Sequence, residues 1–192
     1  LNMDLTGVST TSRTEYTKNL EAYQELTAEE NGGFYRTEKW ERMTKNESCL
    51  SGYASASLFS SLMNYSVGTF YRELGMEGGK NFYCYNGATP LLSSMLSVKY
   101  MLLNSPAEES PLRKLAGEKN GIYLYENNCV LPLGFMVPAD LEENWNFRDG
   151  TAVYAQNALA RALGADGDLL TSLMIQQDEQ GEVIYVPENA HS

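Results

Sequence analysis

The sequence predicts a mixed α+β fold: a mixed β-sheet with helices packed against it and a C-terminal hairpin. Three observations carry that prediction. Apolar residues recur at helical spacing in some segments and at strand spacing in others. The two kinds interleave without a strict β-α-β rhythm. Turn signals such as Asn31-Gly32-Gly33, Asn86-Gly87 and Gly164 punctuate the boundaries. At 192 residues, 43% of them hydrophobic, the chain buries one substantial core with room for a small second lobe.

The first helix is expected from the capping box Ser12 to Glu15, followed by Tyr16, Leu20, Tyr23 and Leu26 at helical spacing, and stopped at Asn31-Gly32-Gly33. Phe34 to Trp40 has strand character, with Phe34, Arg36, Glu38 and Trp40 on one face. The serine-rich stretch Tyr53 to Met63 suits a strand and then a helix. A second helix runs from an Asn64 cap through Val67, Phe70, Tyr71 and Leu74 to Gly75. Asn81 to Tyr85 is a short strand, turned by Asn86-Gly87. Thr89 caps a helix that starts at Pro90, where proline costs no hydrogen bond, and ends near Ser97.

Val98 to Leu103 reads as a buried strand and residues 104–120 as a polar loop. Strands are expected at Ile122 to Tyr125 and Leu133 to Val137, split by Asn127-Asn128. A last helix covers Thr151 to Leu163, and Leu169 to Gln176 pairs with Val183 to Val186 across Asp178 to Gly181. The sheet should carry Phe34–Lys39, Val98–Leu103, Ile122–Tyr125 and Leu133–Val137, with the helices Asn64–Leu74 and Pro90–Ser97 against it. Residues 1–165 are expected to form the main domain. Residues 166–192 are expected to form a hairpin or the start of a following lobe.

A formal charge of −11 argues against nucleic acid, whose phosphates need a basic footprint, and against an anionic membrane face. No stretch approaches the roughly 18 uninterrupted apolar residues of a membrane helix. No basic n-region with an apolar h-region opens the chain, so no signal peptide is expected. Leu1-Asn2 in place of an initiator methionine suggests a segment of a longer protein. Cys49, Cys84 and Cys129 contain no C-x-x-C pair, which excludes a zinc ribbon; one disulfide with a spare thiol and three buried free thiols both remain open.

The only histidine is the penultimate residue, His191, which removes Ser-His-Asp and Cys-His mechanisms and histidine-based metal sites. No phosphate loop occurs, and Asp166-Gly167-Asp168 lacks the later ligands of a calcium loop. No cofactor is expected. Among the carboxylates Glu126, between Tyr125 and Asn127, is the best single acid candidate; turn chemistry at a strand end is the plainer account. Arg36, Lys39, Arg42 and Lys45 form a local basic cluster interleaved with Glu38, Glu41 and Glu47, which suits either a phosphate contact or a solvated mixed-charge surface.

Three ordered stretches resemble a known family: Phe34-Tyr35-Arg36-Thr37-Glu38, then Tyr85-Asn86-Gly87-Ala88-Thr89-Pro90-Leu91 running on to Val98-Lys99-Tyr100, then Tyr125-Glu126-Asn127 to Leu131-Pro132-Leu133-Gly134-Phe135. Gly52-Tyr53, Ser60-Ser61 and Leu74-Gly75 fit the same pattern. Over residues 10 to 165 the chain resembles the extracytoplasmic region of the YfhO family of bacterial multi-spanning membrane proteins. The resemblance implies a membrane glycosyltransferase of Gram-positive cells. Such an enzyme takes a sugar from a polyprenyl-phosphate carrier to decorate teichoic-acid-type cell-wall polymers.

The resemblance also implies that catalysis lies in loops between membrane helices outside this chain. The fragment should then turn over nothing alone, its partners being the membrane-embedded remainder and the polymer or lipid-linked sugar. The alternative is a non-catalytic carbohydrate-binding or scaffolding module. The positions that carry the resemblance, Arg36, Glu38, Asn86, Lys99, Glu126 and Asn127, suit binding or structural ion pairs and caps equally. All of these but Glu38, with Tyr125, Lys39, Arg42 and Lys45, make up the candidate binding set. Lys39, Arg42 and Lys45 are expected nearer a loop, so that reversing their charge lowers polymer glycosylation without unfolding the domain.

Overall fold

The computed structural model describes residues 14, 17–28, 34–148, 150–177 and 180–188. In chain order the elements begin with α1 (Leu20–Ala28), β1 (Arg36–Lys39), α2 (Glu47–Ser51), β2 (Leu58–Phe59) and α3 (Tyr65–Glu73). β3 (Glu77–Gly78), β4 (Phe82–Cys84), α4 (Pro90–Met95), β5 (Val98–Leu103), β6 (Arg113–Lys119) and β7 (Ile122–Asn127) follow. The chain ends in α5 (Leu141–Asn144), α6 (Ala152–Ala162), β8 (Leu173–Gln177) and β9 (Val183–Pro187). The mixed α+β class therefore holds. The chain divides into two compact units, residues 1–58 with 94–133, and residues 59–93 with 134–192.

The first unit is built on a mixed sheet ordered β1-β5-β7-β6, with β1 parallel to β5 and the other pairs antiparallel. Tyr100, Leu102, Ile122 and Leu124 alternate along β5 and β7, so they share one face. There Ala22, Tyr23 and Leu26 of α1 pack on them, with Tyr53 alongside. Burying side chains such as Leu102 and Ile122 contributes roughly 1.5–3 kcal/mol each. The capping box at Ser12 and Glu15 and the stop at Asn31-Gly32-Gly33 lie outside the described residues.

Several expectations about this sheet need correction. Residues 104–120 are not all loop, because β6 occupies Arg113–Lys119 and pairs with β7. Asn120 and Gly121 join the two with φ of 52° and 75°. Two consecutive positive values form a tight turn whose twist matches that of the strands. Leu133 to Val137 is not a strand. Pro132 and Pro138 bracket it without N–H donors, and Met136 is 96% exposed. Asn127 ends β7 rather than starting a hairpin, and the Asn128 N–H donates to Leu112 O at 2.8 Å. β1 buries both faces: Thr37, Glu38 and Lys39 are all buried, whereas Phe34 and Trp40 are exposed.

No helix forms in Tyr53 to Met63. Ser55 Oγ instead accepts from the Ser57 N–H, a local bond that competes with helical pairing. β1, β5 and β7 share one sheet as expected, and β2-β4-β3 and β8-β9 form separate three-stranded and two-stranded ladders. The helix capped by Asn64, which accepts from Ser66 N at 2.9 Å, packs on β3 and β4. Glycine sets that approach: a Cβ on Gly68 would overlap Gly79 O, and one on Gly78 would overlap Gly68 O.

The second unit also holds a ring network, Phe70, Tyr71, Tyr83, Trp145 and Phe147. The Thr151 side chain caps α6, whose Gln156 and Asn157 side chains bind Leu74 O and the Leu169–Leu170 backbone. β8 and β9 form the expected hairpin, with Leu173, Ile175, Val183 and Tyr185 exposed.

Ser97, between α4 and β5, adopts φ 55° and is fully buried, with its hydroxyl among the buried side-chain atoms that lack a hydrogen-bond partner. A Cβ in this left-handed region costs roughly 1–2 kcal/mol, and an unpaired hydroxyl adds to the cost. Ser97→Gly removes both and should raise the stability measured by urea denaturation by about 1 kcal/mol, after the loss of backbone order that glycine brings. A lower midpoint would contradict this account.

Candidate functional site

The basic cluster of β1 and the loop after it is a buried network. Glu38 Oε1 accepts from Ser55 Oγ at 2.6 Å and Ala56 N at 2.5 Å; Oε2 accepts from Arg42 Nη2 at 3.0 Å and Ser57 Oγ at 3.1 Å. Arg42 also donates to Lys39 O through Nε and Nη2. Lys39 Nζ meets Glu47 Oε1 at 2.5 Å and lies 4.5 Å from the centre of the Tyr23 ring, while Glu47 Oε2 accepts from Met43 N. Lys39 and Arg42 are therefore not freer loop cations. Their charges are spent inside the unit, because a short strand covered on both faces forces each buried charge to find a partner.

The electrostatics follow from that burial. Desolvation pushes the Glu38 carboxyl above its ordinary value, with Ser55, Arg42, Ala56 and Ser57 pulling against it. Burial works to lower the Lys39 pKa, but bonding to Glu47 and Tyr23 outweighs it and holds the ammonium above its usual range. The Tyr53 phenol is pushed up by desolvation and then by the Glu38 and Glu47 carboxylates, so it stays neutral.

A second cluster lies on the α1 side of the sheet and is open to solvent. Glu126 stands opposite Tyr100 on one side and Lys114 on the other. Lys114 Nζ meets Glu126 Oε2 at 3.2 Å, and Lys99 Nζ lies 3.5 Å from Oε1. Strict alternation would put Lys99 on the opposite face from Tyr100. Arg36 and Thr37, consecutive in β1, oppose Val98 and Tyr100, so Lys99 is the extra residue of a bulge, which re-aims its side chain. Its Nζ comes to 4.6 Å from the Tyr35 ring centre and 5.1 Å from that of Tyr100. A hydrogen bond to Tyr100 and the Glu126 charge raise its pKa against mild desolvation. Lys114 is 58% exposed, Glu126 26% and Lys99 21%.

Beside this cluster, α1 and the β6–β7 hairpin enclose a cleft of about 320 Å³. Leu26, Leu124 and Gly117 give it apolar lining, Tyr100 and Glu126 supply an aromatic ring and a carboxylate, and Glu118 borders it. Glu25 and Lys119, ion-paired across α1 and β6, complete one wall with Ala116.

Of the expected site residues, the structure brings together Lys99 and Glu126 and adds Lys114, Tyr35 and Tyr100. Glu126 sits in a ladder, not a turn. Arg36 Nη1 donates to Leu96 O at 2.6 Å, and Asn127 Nδ2 donates to Val98 O at 2.7 Å, so both tie β5 in place. Tyr125 OH exchanges hydrogen bonds with Ala107 N and O. Asn86 belongs to the second unit, where Nδ2 donates to Glu77 Oε2 at 3.1 Å. Lys45 is half-buried. The cysteines are free thiols, with Cys84 buried and Cys49 and Cys129 exposed. Among the described residues no three His, Cys, Asp or Glu side chains gather to hold a metal, and no helix is long and apolar enough to cross a membrane.

The family model of the bacterial membrane protein YfhO matches residues 1–189. No curated protein and no solved structure matches the chain.

Proposed function

The chain belongs to the YfhO family of bacterial membrane proteins, and we propose that it is the extracytoplasmic domain of a membrane glycosyltransferase. In this reading the parent protein takes a sugar from a polyprenyl-phosphate carrier and decorates a teichoic-acid-type polymer. Chemistry occurs in the membrane-embedded remainder, and this domain holds the polymer near it without being catalytic alone.

The observation that carries the reading is the Lys99–Glu126–Lys114 cluster with Tyr35 and Tyr100. A chain of charge −11 repels an anionic polymer that comes within a Debye length of about 8 Å. Contact then requires a local group of cations, and aromatic rings beside them suit the sugar parts of such a polymer. Lys39 and Arg42 cannot serve, being internally paired. The test uses the full-length protein in a strain lacking its own copy. Lys99→Gln with Lys114→Gln should lower polymer glycosylation severalfold. The melting curve of the purified 192-residue chain should stay within about 1 kcal/mol of the parent's, as for exposed ion pairs. Full glycosylation by the double variant would refute the assignment.

A further inference from the structure

We infer that the cleft between α1 and the β6–β7 hairpin binds a single uncharged pyranose residue, with Glu126 accepting hydrogen bonds from its hydroxyls. The inference rests on the reading of this face as the carbohydrate-contacting one and names the unit it recognises. Size is the first argument. A cleft of about 320 Å³ lies at the small end of ligand sites, so it suits one ring and not a stretch of polymer.

Its chemistry is the second argument. A pyranose presents C–H groups on its faces and hydroxyl donors around its rim. Leu26, Leu124 and the Tyr100 ring offer apolar surface for the former, and the Glu126 carboxylate accepts from the latter. Lys114 and Lys99 hold the two Glu126 oxygens from separate strands, and each oxygen keeps a second lone pair for a ligand.

The backbone shapes the space. The pairing of β6 with β7 skips Ala116 between Leu115 and Gly117, so a bulge bends the strand where the cleft lies. At Gly117 a Cβ would stand 3.2 Å from Leu26 Cδ2, so glycine lets α1 and β6 approach while leaving the floor clear. The charges beside the cleft are paired, Lys119 with Glu25 and both Lys99 and Lys114 with Glu126, and the carboxylate oxygens keep lone pairs for hydroxyl donors.

The test is an amide-detected NMR titration of the 192-residue chain with methyl β-glucopyranoside, methyl β-galactopyranoside and N-acetylglucosamine, with glycerol 3-phosphate as the anionic probe. At least one sugar should give saturable shifts centred on Gly117, Leu124 and Glu126, and glycerol 3-phosphate should give none at Gly117 and Leu124. Glu126→Gln should weaken binding roughly tenfold or more, as expected for loss of a charged acceptor. Ala116→Trp, at an exposed bulge position, should fill the cleft and abolish the shifts without touching Glu126. No saturable shift with any of the sugars, shifts that survive Ala116→Trp, or tighter binding of glycerol 3-phosphate at Gly117 and Leu124 would each overturn the inference. The polymer-glycosylation result for the two lysines is read on the full-length protein with a different ligand, so the two readings fail separately.

Discussion

Glu38→Ala should cost the chain about 3–5 kcal/mol of stability, the loss typical of removing one partner from a buried ion pair. For a chain of this size that is a fall of about 6–20 °C in melting temperature. The loss is large because one carboxylate satisfies four donors from three directions: the Arg42 guanidinium, the Ser55 and Ser57 hydroxyls and the Ala56 amide. Each of these would remain buried or half-buried with an acceptor missing. Glu38→Gln, which keeps the shape and one oxygen acceptor, should cost less. Thermal melts of both variants by circular dichroism decide the matter. A Glu38→Ala midpoint within a degree or two of the parent would mean that water replaces the carboxylate and that the network is not a closed one.

Reversing the charges of Lys39, Arg42 and Lys45 together should leave the first unit unfolded. Lys39→Glu would face Glu47, and Arg42→Glu would face Glu38, each as a like-charge pair where solvent does not screen it. Two such losses of about 3–5 kcal/mol compare with the entire ~5–15 kcal/mol that holds a domain folded. The amide spectrum should lose its dispersion for β1, β5 and β7. Any drop in polymer glycosylation by this variant would then report misfolding and not a missing phosphate contact. A variant that melts like the parent would restore these residues as surface cations. This outcome replaces the expectation drawn from sequence, in which the three cations lay near a loop and free to meet phosphate.

That error shows where sequence reasoning stopped. Alternation along Phe34 to Trp40 locates a strand but does not show that both its faces are covered, and coverage turns Lys39 from a surface charge into a buried one. Caps and helix periods were legible because their determinants are local. Asn64, Thr89-Pro90 and Thr151 start helices where expected, and Val98 to Leu103 is the strand predicted. The hairpin of β6 and β7 was missed although Asn120-Gly121 marks it, because the charged and small residues Arg113 to Lys119 lack an apolar strand pattern. With that hairpin unrecognised, Lys114 could not be set opposite Glu126. Lys99 was named through family resemblance alone, and Glu126 also as the best acid candidate; their meeting depends on a bulge that no local pattern encodes.

Neither compact unit is a continuous run of chain, and this bears on how the protein is made. β1 pairs with β5, and the Arg36 side chain reaches a carbonyl sixty residues further on. At ~5–20 residues per second a ribosome takes about 3–12 s to supply that partner. Meanwhile the emerging β1 segment carries an acid and a base that will end up without water. Their own partners arrive early, however: Arg42 and Glu47 follow within eight residues and Ser55 to Ser57 within nineteen. The polar network can therefore close on itself while the strand it belongs to is still waiting for its sheet. Until then the backbone edge of β1 stays open, because the Arg36 and Trp40 N–H groups find their acceptors only at Ser97 and Leu102.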